Sequence, residues 1–365
     1  MKTVIEHRVL PKSRRILVVS DVHGALSYLR GLLETVRFSA DDLLILNGDL
    51  LEKGPQSLET LRFVMELSRT RAVWTVMGNC DGLERLFLDN VPTKDFDAKE
   101  FISQGRPGWQ KGLLRQMADE MGYPVSMDMD IDDFRDAVFT RCPAEVDFLL
   151  RLPHVIDTPD YTFVHGGLPE GDPADWNSFA VMKNDYFAAQ GRKFDKWQIV
   201  GHTPCVLYRE DVICADPIID RESRIVSIDG GCVLEEDGQL NALIIPEAGS
   251  DDFRFASWDP FPVRRVRTAQ RGSTRSYYVR WGDNRVRVLS RGAEFSRVRH
   301  ERTGYELDVL TRLLQGEGES VLCGDATDYV LPLEAGDEVR VVAETGRGWL
   351  VKHGGVTGWY FGELE

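Results

Sequence analysis

Hydrophobic positions along the first 80 residues follow two alternating patterns. Continuous apolar runs at Ile16 to Val19, Leu43 to Leu46 and Ala72 to Met77 predict strands buried on both faces. Between them, Leu29, Leu32, Leu33 and Val36 recur at helical spacing. Leu61, Val64, Met65 and Leu67 do the same behind Ser57, a candidate N-cap. Repetition of strand, Gly-containing polar loop and helix predicts a layered α/β domain. From Asp81 to Pro159 the pattern turns helical, around Trp109 to Met121 and Ile131 to Leu152, and reads as an inserted helical cap. Strands resume at Tyr161 to Val164, Gln198 to Val200, Ile225 to Ile228 and Leu240 to Ile245. Gly249 to Trp258 is polar and reads as a linker. Beyond it, Ser276 to Trp281 and Arg285 to Leu289 flank a Gly-Asp-Asn turn and predict a hairpin. Tyr305 to Leu314 reads as a short amphipathic helix, and Ser320 to Glu365 as an all-β tail.

Composition narrows the function. At 365 residues the chain has length for one large domain and one or two small ones. Met1 to Arg15 lacks an apolar signal-type stretch, and no run of about 18 apolar residues occurs. Six scattered cysteines without a Cys-x-x-Cys pair argue against a disulfide scaffold, so a reducing cytoplasm is expected. A net charge of −15 argues against a nucleic-acid partner. The charge is uneven: Pro262 to Arg312 carries 13 Arg and no Lys against five acids. Two readings stay open for this segment, salt bridges to acidic neighbours or a docking surface for an acidic or phosphorylated protein.

Candidate chemistry gathers where strands end. Five strand ends carry Asp21 and His23, Asp49, Asn79, His165, and His202, each beside a glycine. Any one of these suits an ordinary turn. Five in succession predict a metal or phosphate site at one edge of the sheets.

The blocks Ser20-Asp21-Val22-His23-Gly24, Gly48-Asp49-Leu50-Leu51-Glu52-Lys53-Gly54, Gly78-Asn79-Cys80-Asp81, His165-Gly166-Gly167 and Gly201-His202 resemble the signature of the calcineurin-like metallophosphoesterases, specifically the phosphoprotein-phosphatase branch. The resemblance covers about residues 15 to 246. It implies an α/β fold, a β-sandwich flanked by helices, with two divalent metal ions at the strand ends. It places Asp21, His23 and Asp49 on the first ion, and Asn79, His165 and His202 on the second, with Asp49 bridging. Mixed N and O ligands suit Mn foremost, with Fe, Zn or Co as alternatives. Two ions about 3.5–4 Å apart can share a hydroxide nucleophile.

Three departures bear on activity. Cys80 stands where the family's phosphatases carry a general-acid His, with Asp81 matching the acid that orients it. Glu52-Lys53 replaces Asp-Arg, so Lys53 offers the phosphate a point charge rather than a fork. A further phosphate-binding Arg has its nearest match in Lys183, with Arg192 as competitor. Catalytic roles are therefore expected at Asp49, Asn79, Cys80 and Asp81, and phosphate binding at Lys53 and Lys183. Asp229 reads as a turn residue more readily than a ligand. Cys205, Cys232, His7, His154, His300 and His353 read as structural.

The tail resembles an SH3-type barrel through Leu331 to Asp337, Trp349 to Lys352 and Gly358 to Leu364. Trp349, Trp359 and Tyr360 are candidates for a peptide groove or for the core. The expected domains are a catalytic domain at 1–252 with a cap insertion at about 82–159, a basic β-rich segment at 253–318, and an SH3-like barrel at 319–365. The leading expectation is a two-metal phosphatase of serine/threonine phosphoproteins. A hydrolase of dinucleoside polyphosphates or other small nucleotides is the second reading, favoured by Cys80 and by a cap able to enclose a small substrate. A metal-retaining binding or regulatory protein is the third. A membrane partner is not expected.

Overall fold

A computed structural model describes residues 2–82, 98–105 and 108–365, arranged in two compact units. The first unit comprises residues 1–203, 217–234 and 239–258. Its strands are β1 (Ile5–His7), β2 (Ile16–Val19), β3 (Leu43–Asn47), β4 (Ala72–Val76), β5 (Val155–Asp157), β6 (Tyr161–Val164) and β7 (Trp197–Val200). β9 (Ile218–Asp220), β10 (Ile225–Ser227), β11 (Leu240–Ile245) and β12 (Arg254–Trp258) complete it, while β8 (Ile213–Cys214) belongs to the second unit.

These strands make two sheets, ordered β1-β5-β6-β7-β10-β9 and β12-β11-β2-β3-β4. The apolar runs fix how they pack. Ile16, Val18, Leu43 and Ile45 point into a core shared with Phe163, Ile199 and Val226 of the other sheet. Leu17, Val19, Leu44 and Leu46 alternate to the opposite face, beneath α1 (Leu26–Thr35) and α2 (Ser57–Thr70). The result is the expected sandwich flanked by helices.

Insertion helices α3 (Ala98–Gln104), α4 (Leu113–Met121), α5 (Ile131–Arg141) and α6 (Pro143–Leu150) extend this helical layer. Leu114, Met117, Phe134 and Leu149 join one core with Leu58, Leu61 and Val64 of α2. Arg62 of α2 forks onto Glu120 with two 2.7 Å bonds and reaches Glu145 at 2.7 Å. The expected cap is thus an addition to the outer layer in its described part; residues 83–97 and 106–107 lie outside the described residues.

Three expectations change. Arg254–Trp258 is not a linker but edge strand β12, paired with β11, because its backbone completes the ladder and Trp258 packs on Tyr28. The stretch Tyr305 to Leu314 is not a helix: Glu306–Leu310 is a strand paired with Phe295–His300, followed by a single 3-10 turn. Leu307 and Val309 alternate inward there, and this period of two prevails once a partner strand supplies hydrogen bonds. Tyr278–Val279 and Arg285–Ser290 do not pair as a hairpin. The former pairs with Ala326–Thr327, the latter with Phe295–His300 and Ser320–Cys323.

The second unit holds residues 204–216, 235–238 and 259–365. One of its sheets runs Val263–Arg265, Glu338–Thr345, Gly348–His353, Val356–Tyr360 and β8. Residues 319–365 therefore do not close a sheet among themselves, since both flanking strands come from upstream. Trp359 and Tyr360 are buried, with the indole Nε1 donating to Thr327 O at 2.7 Å and the phenol to Thr268 O at 2.8 Å. That places these two rings in the core. In the basic segment, Arg265, Arg267, Arg280, Arg297, Arg299, Arg302 and Arg312 all pair with acids of the same unit. Seven of its 13 arginines are thus paired within the unit.

Candidate metal centre

Loops after β2, β3, β4, β6 and β7 meet at one end of the sandwich. Main-chain bonds lace the first two: Asp21 N to Gly48 O at 3.0 Å, His23 N to Asp49 O at 2.9 Å, and Gly24 N to Leu50 O at 2.7 Å. Such interlocking holds side-chain-bearing residues in a conformation usually left to glycine. Asp21, His23, Asp49, Glu52, Lys53 and His202 all have φ between +51° and +70°. Each costs on the order of 1 kcal/mol, and their clustering marks a site the surrounding fold over-determines.

Five of the expected ligands, Asp21, His23, Asp49, His165 and His202, converge, and Asn79 adjoins Cys80 beside them. His165 Nε2 lies 3.2 Å from Asp49 Oδ1 and 4.0 Å from Asp21 Oδ1. His23 Nε2 lies 3.7 Å from Asp21 Oδ1 and 3.8 Å from Asp49 Oδ2. Donor atoms of Asp49, His165 and His202 fall within 4.8 Å of one another, as do those of His23, Asp49 and Cys80. Asp21 Oδ1, Asn79 Oδ1 and His165 Nε2 are buried and make no hydrogen bond. Buried polar atoms rarely go unpaired, and these are ligand atoms of the expected set.

Electrostatics point the same way. Burial raises Asp21 to about 6 and, with Asp49 beside it, Asp81 to about 7. Burial lowers His23 to about 3, helped by Lys53. On His165 burial is outweighed by Asp49 and Asp21, which lift the imidazole to about 10. Four buried carboxylates, Asp21, Asp49, Asp81 and Asp229, outnumber the cationic groups beside them, Lys53 and His165. Orphaned acceptors, imidazole nitrogens and surplus negative charge fit divalent cations bound among these residues.

The other expected residues separate. Lys53 is close in, its Nζ 3.0 Å from His23 Nε2 and 5.6 Å from the centre of the half-buried Trp109 ring. Glu52 turns away, accepting from Leu113 N at 2.9 Å and so tying the insertion to this loop. Cys80 is buried beside the ligands, its N donating to Asp49 Oδ1 at 2.8 Å. Asp81 is occupied by main chain, accepting from Leu50 N at 2.7 Å, Leu51 N at 3.1 Å and Gly78 N at 2.8 Å. Both its oxygens are thereby engaged with the loops that carry Asp49 and Asn79. Lys183 is exposed after the short helix Ser178–Met182, and no hydrogen bond or ion pair among the described residues brings it to the ligands. Arg192 is held elsewhere, against Phe187 and Phe194 and the carbonyls of Leu168 and Pro169.

At Asp229, Oδ1 closes the turn by accepting from Gly231 N at 2.8 Å, while Oδ2 is buried and unpaired. Sequence reasoning missed Asp185, whose Oδ1 lies 2.7 Å from His202 Nε2. Only its position two residues past Lys183 hinted at it.

The family model described as calcineurin-like phosphoesterase matches residues 14–211. A symmetrical bis(5'-nucleosyl)-tetraphosphatase of Aeromonas salmonicida is 50% identical over 192 residues, 46% of this chain and 67% of that protein. The asymmetrical enzyme PrpE of Bacillus subtilis is 25% identical over 63% of this chain and 90% of its own. A symmetrical tetraphosphatase of Methylococcus capsulatus is 51% identical over 67 residues, 18% of this chain and 23% of its own. Against that relative and two others, the chain spans about a quarter of their length. Among solved structures, a putative diadenosine tetraphosphatase shares 18% identity at a TM-score of 0.43, covering 70% of this chain and 99% of that one. A yeast serine/threonine phosphatase shares 12% identity at 0.41, covering 71% and 84%. Among the described residues no helix is long and apolar enough to cross a membrane.

Proposed function

The chain belongs to the calcineurin-like phosphoesterases, hydrolases that work with two metal ions, and from that premise we propose that it hydrolyses dinucleoside polyphosphates. The observation carrying this reading is Cys80 at the motif position where the resemblance expects a general acid. Cys80 stands where an imidazole is expected, and Asp81 is engaged with three amides. A departing serine alkoxide needs a proton, whereas a departing nucleoside phosphate carries its charge unaided near neutral pH. The tetraphosphatase names of the relatives support the same choice over the protein-phosphatase expectation.

When bound, two divalent ions held by Asp21, His23 and Asp49, and by Asn79, His165 and His202, would polarise the phosphoryl group and activate water. This chain's own residues do the rest. Lys53, half-buried and kept charged by the acidic groups around it, Cys80, Asp49, Asp21 and Asp229, grips the phosphate chain as a point charge. Trp109 presents a half-buried indole beside that ammonium, suited to stack on a base. Asp81 holds the Asp49 and Asn79 loops in register through Leu50, Leu51 and Gly78.

The test offers the Mn²⁺-loaded protein a dinucleoside tetraphosphate, a phosphopeptide and an aryl phosphate, with Asp49→Asn as control. A tenfold or greater preference in kcat/KM for the dinucleotide, lost in the control, is expected. Preference for the phosphopeptide would restore the protein-phosphatase reading, and no turnover of any of the three would favour a binding protein.

A further inference from the structure

Each histidine of the centre has one ring nitrogen engaged away from it, and the partners differ in kind. His23 Nδ1 meets Leu51 O at 3.3 Å, and His165 Nδ1 meets Asn47 O at 3.0 Å. A carbonyl only accepts, so both rings carry a proton on Nδ1, and Nε2 is the nitrogen turned toward Asp21 and Asp49. For these two the outer acceptor is main chain, which no substitution removes. His202 is different. Its Nε2 meets the carboxylate of Asp185 at 2.7 Å, which leaves Nδ1 with the lone pair.

The position of Asp185 is built. Tyr186, in the left-handed region at φ 54°, donates its N to Thr203 Oγ1 at 3.0 Å, tying the residue after Asp185 to the residue after His202. Gln190 Nε2 donates to Asn184 Oδ1 at 2.7 Å and to Asp185 O at 3.1 Å, bracing the same turn. His202 N meanwhile donates to Asp21 Oδ2 at 3.1 Å, anchoring the ring's own backbone to the centre.

We propose that Asp185 is the positioning residue of the second metal ion: it fixes the proton of His202 on Nε2, presents Nδ1 as the ligand, and sets how tightly that ion is held. The proposal rests on His202 being a ligand. A carboxylate behind a ligating imidazole raises its basicity and locks its orientation, and losing such a partner typically weakens metal binding by about 10–100-fold. The Asp185 side chain is 60% exposed, so its removal opens no cavity, and urea midpoints test whether the fold is kept while His202 Nε2 loses its acceptor.

The experiment titrates Mn²⁺ into the protein without substrate, following the spin-coupled pair by electron paramagnetic resonance and bound metal by elemental analysis. Parent, Asp185→Ala, Asp185→Asn, Asp185→Glu and His202→Ala are compared, with urea midpoints checking the fold. In Asp185→Ala, uptake of the first ion is unchanged and the second weakens by roughly 10–100-fold. Asp185→Asn, which still accepts but without charge, falls between, and Asp185→Glu recovers most of the loss. His202→Ala takes up one ion only. Parent-like pairing in Asp185→Ala overturns the proposal. Parent-like pairing in His202→Ala as well overturns the ligand assignment on which it rests, so the two failures are told apart.

Discussion

Gly78 sets the position of Asp49, and replacing it with alanine tests how tightly the centre is built. A Cβ there would stand 2.1 Å from Asp49 N and 2.3 Å from Asp49 Oδ1. Ordinary contact begins near 3.4 Å, so one loop must retreat by about 1.3 Å. Neither loop is free to do so. Asp81 clamps Gly78 N and Leu50 N together, and Cys80 N holds Asp49 Oδ1 at 2.8 Å. Overpacking at such a place costs about 1–3 kcal/mol, and a ligand displaced by about 1 Å costs on the order of 100-fold in rate. Gly78→Ala is therefore expected to lose about 100-fold in kcat/KM and one equivalent of bound metal, with a lowered urea midpoint. Gly122→Ala is the control: φ is 64° and nothing lies within 4 Å, so about 1 kcal/mol of strain is expected with metal content and rate unchanged. If Gly78→Ala kept both ions and a rate within threefold of the parent, close loop packing would not be what places Asp49.

Cys80→His is expected to raise turnover of alkyl phosphates by roughly tenfold or more, since it supplies the missing acid; an unchanged rate would place the proton donor elsewhere. Trp109→Ala is expected to raise KM for a dinucleoside tetraphosphate by about 5–150-fold, the worth of one stacked base, with little change for inorganic tripolyphosphate. Equal effects on both would remove the base-stacking role. Away from the centre, Arg15 grips Asp42 through bonds of 2.9 and 2.8 Å. Burial alone would raise the Asp42 carboxyl, but Arg15 and Ser39 outweigh it and hold it below its ordinary 3.8. A lowered folded pKa means stability that is complete above the ordinary value and drains away as pH falls through the lowered one. Arg15→Ala should thus lose about 2 kcal/mol at pH 7, and its deficit against the parent should shrink below about pH 4 in acid-urea titrations; a gap independent of pH would mean that the pair contributes by packing alone.

The sequence by itself determined the sandwich strands and the ligand loops, because both are local. An apolar run such as Leu43 to Leu46 declares a doubly buried strand wherever it pairs. Asp49, Asn79 and His165, each beside glycine at the end of such a run, declare a strand-end site before any neighbour is known. What depended on a partner was decided only in three dimensions. Leu307 and Leu310 fit a helical stripe as well as Leu307 and Val309 fit a strand, and the backbone of Phe295–His300 settled it. Spacing could not rank Lys183, Arg192 and Lys53 for phosphate; folding sets Lys53 Nζ 3.0 Å from His23 and holds Arg192 against Phe187 and Phe194. The work of Asp81 lies in three amides, two of them about 30 positions away, and that of Asp185 in an imidazole 17 positions away. A carboxylate takes its role from the donors that surround it, and those are brought together by folding.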